Sequence, residues 1–164
     1  MIFKIKKNRH YSNRFLYKLF NLFNFDKRIK FKVMFDESSF YDLGDKDQAD
    51  INKLFGFSDG FHHKNSVRFG WNSVSKDSVA IYSYCYINGV RKTHFITTVN
   101  INQEYKMSIK ETDKFYLFTI IDPEYNIVQD MVEKGNTNNG FSYNLWPYFG
   151  GNKKAPHDIK ISLN

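Results

Sequence analysis

The sequence predicts an all-β fold, an antiparallel jelly-roll β-sandwich with a short N-terminal amphipathic helix. Three observations carry that prediction. Short runs rich in β-branched and aromatic residues recur every 8 to 15 residues or so, separated by polar turns. The chain holds 17 Phe and 11 Tyr against 3 Pro, which suits packed sheets and excludes disordered or collagen-like polypeptides. Finally, Val79 to Val99 reads as one hairpin around Asn88-Gly89, a strong signal for a two-residue type I′ turn because both positions tolerate φ > 0.

At 164 residues the chain is long enough for one domain with a real core, and the sequence divides into a basic extension, 1–28, and a sandwich domain, 29–164. Residues 1 to 32 hold ten basic side chains against Asp26 alone, a local charge of +9 in a chain of net +7, so the remaining 132 residues sum to −2. In the extension, Ser12 is placed to cap a helix whose Phe15, Leu16, Leu19, Phe20 and Phe23 share one face. Its simplest role is to pack that face on its own domain; its alternative is to meet a membrane surface or an acidic protein partner. The opening residues lack a secretory pattern, and no run approaches the ~20 apolar residues of a membrane span. With no internal disulfide possible, these features point to the cytoplasm.

From Ile29 the period becomes two, with Ile29, Phe31, Val33 and Phe35 on one side of a half-buried strand. Asp36 to Asp50 reads as a solvated acidic loop, because the spacing of Asp42, Asp45, Asp47 and Asp50 does not fit a calcium-binding loop. Ile51 to Phe61 reads as a compact connector and Ser66 to Asn72 as a strand. His62 and His63 are adjacent, which makes a poor metal pair and favours a structural or solvent-facing role. Cys85 inside the hairpin reads as an inert buried thiol. Further strands follow at Tyr105 to Ile109, Phe115 to Ile121 and Tyr125 to Gln129. Gly135 to Gly140 is a loop, Phe141 to Phe149 a strand with Pro147 at an edge or bulge, and His157 to Leu163 the last strand, about nine in all.

The Asn88-Gly89 turn fixes the hairpin register. Tyr86 falls opposite Arg91, Tyr84 opposite Thr93 and Tyr82 opposite Phe95, so Tyr82, Tyr84 and Tyr86 form one stripe with Arg91 beside it. Aromatic rings pack against the apolar faces of sugars while cations and amides read the hydroxyls. Arg68, Trp71, His94, Trp146 and Tyr148 join the stripe as candidate glycan-binding residues.

The ending, Pro147-Tyr-Phe-Gly-Gly151 followed by Asp158-Ile-Lys-Ile-Ser162, resembles the closing strands of concanavalin A-like lectin/glucanase sandwiches. Stretches such as His62 to Trp71 and Tyr148 to Asp158 also resemble a small bacterial family, to which no activity attaches. The superfamily resemblance implies carbohydrate binding, with hydrolases and polysaccharide lyases on the same scaffold. The glucanase pattern of alternating carboxylates is absent, since Glu37, Glu104, Glu111, Glu124 and Glu133 stand apart. Alginate-lyase sandwiches are somewhat more similar, implying Arg68 or Arg91 as carboxylate neutraliser, His94 as base and Tyr148 as acid, although the family's motifs are broken here.

The expectation is therefore a non-enzymatic carbohydrate-binding module. The alternatives are a lyase-like enzyme acting on acidic glycans and a structural or assembly protein, of adhesion or virion type, that docks through residues 1–28. No cofactor or metal is called for. Nucleic acid is not expected as a partner, because a near-neutral domain offers no continuous basic footprint.

Overall fold

The computed structural model describes residues 1–135 and 140–164, so the loop expected at Gly135 to Gly140 falls, over 136–139, outside the described residues. Two antiparallel sheets pack face to face. With strands numbered along the chain, the larger sheet runs β1 (Ile2–Ile5), β11 (Ile159–Leu163), β2 (Arg28–Phe35), β7 (Glu104–Glu111), β8 (Phe115–Ile121), β9 (Ile127–Glu133). The smaller runs β10 (Asn144–Leu145), β3 (Asn52–Ser58), β4 (Ser66–Ser75), β5 (Ser78–Ile87), β6 (Val90–Asn100). The chain crosses between sheets after β2, β6, β9 and β10, so that β2 and β7 become neighbours around the β3–β6 meander. This is the predicted all-β sandwich.

Alternation builds the core. In β2, Ile29, Phe31, Val33 and Phe35 point inward while Arg28, Lys30 and Lys32 point to solvent. Tyr116 and Phe118 of β8 do the same, and the opposing sheet supplies Phe57, Phe69 and Trp71. The rings meet edge to face or tilted, Phe69 on Phe118 at 5.0 Å and Phe35 on Trp71 at 5.2 Å, geometries that the ring quadrupole favours. Cys85 is buried on this face, as expected.

The central hairpin keeps its expected register. Asn88 and Gly89 take φ of 52° and 83°, and the Tyr86–Arg91, Tyr84–Thr93 and Tyr82–Phe95 pairs all form. A bulge at Ile96 then shifts the pairing, so that Ile81 faces Thr97.

Several expectations are corrected. The stretch read as a connector contains β3, whose bulge between Lys53 and Gly56 breaks the two-residue period. The strand expected over Phe141 to Phe149 shrinks to β10, continued only by single bridges at Tyr143 and Tyr148. Residues 2–5 of the expected extension form β1 in the larger sheet, with Phe3 and Ile5 in the core. The strands thus number eleven among the described residues. Ser12 does not cap the helix. That helix, α1, is only Phe15–Phe20, starts after Arg14 in the left-handed region, and buries none of its residues. Its apolar side is therefore not packed on its own domain.

Candidate functional site

A cavity of about 500 Å³ lies on the outer face of the smaller sheet. Its floor is made by side chains that strand alternation sends away from the core: Lys53 of β3, Arg68 of β4, and Tyr84 and Tyr86 of β5. One wall is the segment Leu145 to Tyr148, and Tyr11 and Lys18 close the side.

The wall is held by backbone pairing and by the floor itself. Tyr148 and Lys53 exchange two backbone hydrogen bonds of 2.9 Å each, and Tyr11 forms a further bridge to Tyr148. Arg68 donates from a guanidinium Nη to the Trp146 carbonyl at 2.8 Å, while its buried Nε has no hydrogen-bond partner among the described residues. Ser12 donates to the Pro147 carbonyl at 2.8 Å. Gly150 is required behind this wall, because a Cβ there would lie 2.2 Å from the Ile51 carbonyl oxygen and 2.7 Å from Lys53 Nζ.

The lining is aromatic and cationic. Lys53 Nζ stands 4.9 Å from the centre of the Tyr84 ring and 5.8 Å from that of Tyr148. Tyr84 meets Tyr86 edge-on at 6.0 Å, and His63 meets Tyr86 at 5.9 Å. His10 stacks on Tyr148 at 5.2 Å. No carboxylate is among the described lining residues. Burial lowers the Lys53 pKa to about 8, with the Arg68 and Arg91 charges adding to the effect. Burial likewise lowers Lys18 to about 8 and Arg68 to about 10. His62, hydrogen-bonded to the Tyr143 hydroxyl at 2.6 Å, is pushed down by burial and by His63 and Arg68. Tyr84 is pushed up, first by burial and next by its hydrogen bond with Tyr86.

Of the residues singled out in the sequence, Arg68, Tyr84, Tyr86, Trp146 and Tyr148 come together here. Arg91 stands opposite Tyr86 on β6 and contributes charge from the side. Tyr82 shares the face but lies beyond the cavity, donating to Asn72 at 3.3 Å and meeting Phe95 edge-on. Two residues are elsewhere. Trp71 is fully buried between the sheets against Phe35 and Tyr41. His94 sits on the opposite face of the hairpin, 3.4 Å from Asp130 of β9. The lyase-like set is consequently split, since His94 cannot act as base beside Arg68 and Tyr148. Sequence reasoning missed Lys53, Tyr11, Lys18 and the histidine pair. His62 and His63 line the cavity, but no group of three or more metal-ligating side chains occurs among the described residues.

No family model matches the chain, and no curated protein matches it significantly. Among solved structures, it is similar to a carbohydrate binding module, CBM66, from Bacillus subtilis, at 14% identity and TM-score 0.34 over 88% of this chain and 72% of that one. It is also similar to the LG1-3 region of the laminin alpha2 chain, at 10% identity and TM-score 0.42 over 99% of this chain and 30% of that one. At such low identity and TM-score these likenesses carry no argument about a ligand, and the site stands on its own geometry.

Proposed function

We propose that this chain is a non-enzymatic carbohydrate-recognition module, of concanavalin A-like type, whose cavity binds a sugar bearing an acidic group. The observation that carries the reading is Lys53, set between the Tyr84 and Tyr148 rings beside Arg68 in a cavity whose described lining contains no carboxylate. The half-buried Tyr86 and Tyr148 rings leave apolar surface in the cavity for a pyranose to pack on. The site also offers the Lys53 ammonium to a carboxylate or sulfate, with the Arg68 charge beside it. The cationic groups already repel one another, so an anionic ligand relieves a cost present in the free protein.

The test is titration of the intact chain with uronate or sulfated oligosaccharides and with their neutral counterparts. Acidic saccharides should bind, and neutral ones should bind roughly tenfold more weakly, the scale of one charge-assisted hydrogen bond. Lys53→Met, which keeps the buried stem and removes the charge, should lose a similar factor. Equal affinity for both sugar classes, or an unaffected Lys53→Met variant, overturns the reading. New absorbance from unsaturated uronate ends would make the protein a lyase instead.

A further inference from the structure

The segment joining β1 to β2 displays its apolar side chains to water. Phe20 is 83% exposed and Phe25 is 90% exposed, and Phe15 and Leu16 on α1 are also open to solvent. This is a fixed display. Tyr17 packs edge-on against Phe3 at 6.1 Å and Trp146 at 5.5 Å, and Lys18 donates to the Ser12 carbonyl at 2.6 Å. Just beyond the helix, Phe23 and Phe25 stack on each other with centres 6.0 Å apart. These two rings line a groove of about 650 Å³ whose floor includes Phe31 and Phe55. Cations stand on the same groove. Arg28 and Lys30 line it beside the two rings, with Asp26 the single acidic side chain among the described lining residues.

Exposed aromatics concentrated on one short segment mark an interaction surface, and the surrounding charge selects its partner. We propose that this surface lies flat on a lipid bilayer containing anionic headgroups. Arg28 and Lys30 outnumber Asp26 among the described groove residues, a local positive excess that complements an anionic leaflet. A bilayer interface accepts several phenylalanine rings without a preformed matching shape, and the basic side chains around them meet the headgroups. No helix among the described residues is long and apolar enough to cross a membrane. The surface adjoins the glycan cavity at Trp146, which lines both, but its exposed rings are distinct from that site, because neither Phe20 nor Phe25 lines the cavity.

The test is co-sedimentation of the full chain with vesicles of phosphatidylcholine alone and of phosphatidylcholine with about one-third phosphatidylglycerol. Binding to the mixed vesicles should exceed binding to the neutral ones at least ~tenfold and should weaken with added salt. A Phe20→Ser, Phe25→Ser double variant should lose roughly tenfold or more, because two inserted rings are removed. Both positions are exposed, so an unchanged melting curve confirms that the variant is folded. Failure to sediment, equal binding to both vesicle types, or a variant that binds like the parent overturns the proposal. Concentration-dependent self-association abolished by the same variant, without vesicle binding, would reassign the surface to a second copy of this chain. Lys53→Met should leave vesicle binding intact, which separates this surface from the sugar site.

Discussion

Lys53 is a base that its surroundings discourage from carrying charge, and this has two consequences of opposite sign. Its pKa falls from the usual lysine value to about 8 in the folded protein, so between pH 8 and about 10.5 the unfolded chain binds the extra proton. Stability contributed through this group therefore rises as pH increases through that window, and the penalty is full below pH 8. Binding of an anionic sugar runs the other way, because the ligand needs the ammonium form. Affinity measured by calorimetry should decline as pH is raised from 7 to 9, with the fall centred near 8, the value of Lys53 in the free protein. Lys53→Arg should flatten the profile, since a guanidinium stays protonated throughout. Cys85 gives a second readout at this scale. Burial pushes its thiol up, with Asp130 adding to the shift, so the reactive thiolate is disfavoured in the folded state. Iodoacetamide should leave Cys85 unmodified in the native protein and label it on unfolding. Rapid native labelling would show that this part of the sandwich opens.

At the scale of the element, the cavity depends on how closely the Leu145 to Gly151 stretch approaches β3. Gly150→Ala would press a methyl group on the Ile51 carbonyl and on Lys53 Nζ. Because one of those contacts is backbone, the wall must shift as a whole. The variant should lose sugar affinity by at least ~tenfold and stability by about 1–3 kcal/mol, read by calorimetry and denaturant titration; an unchanged affinity would mean the wall does not position the site. The regular elements of this architecture were legible in the sequence. Period-two alternation located β2 and β7, a run apolar on both faces located β8, and Asn88-Gly89 gave the register that aligns Tyr84 and Tyr86 with Arg91. What escaped was irregular. The bulge at Lys53 to Gly56 hid β3, and with it the lysine at the centre of the cavity. Pro147 has no N–H to donate, and the wall is held by single bridges that leave no periodic trace. Strand parity could have removed two candidates. Arg68 and Trp71 are three residues apart on β4, and Arg91 and His94 three apart on β6, so neither pair shares a face. Lys18 and Tyr11 were hidden for a different reason, since only tertiary contact brings them across the cavity.

At the scale of the molecule, one N-terminal segment serves two ends that substitution can separate. Residues Ile2–Ile5 pair with β11 and bury Phe3 and Ile5, so they belong to the sandwich core, whereas the helix that follows presents its apolar side to solvent. Deleting the whole segment would remove both together and report mainly on the core. Single substitutions distinguish them. Ile5 is fully buried, and Ile5→Ala should cost about 2–5 kcal/mol through lost transfer free energy and the cavity left behind, lowering the denaturant midpoint without abolishing the cooperative transition. Leu19→Ser, on the exposed helix, should leave the midpoint within about 0.5 kcal/mol of the parent, because Leu19 is 53% exposed and outside the buried core. If Ile5→Ala were as silent as Leu19→Ser, β1 would be an ornament on a sandwich complete without it. A large cost at Ile5 alone means that the strand anchors, by its place in the core, the helix that carries the exposed phenylalanines.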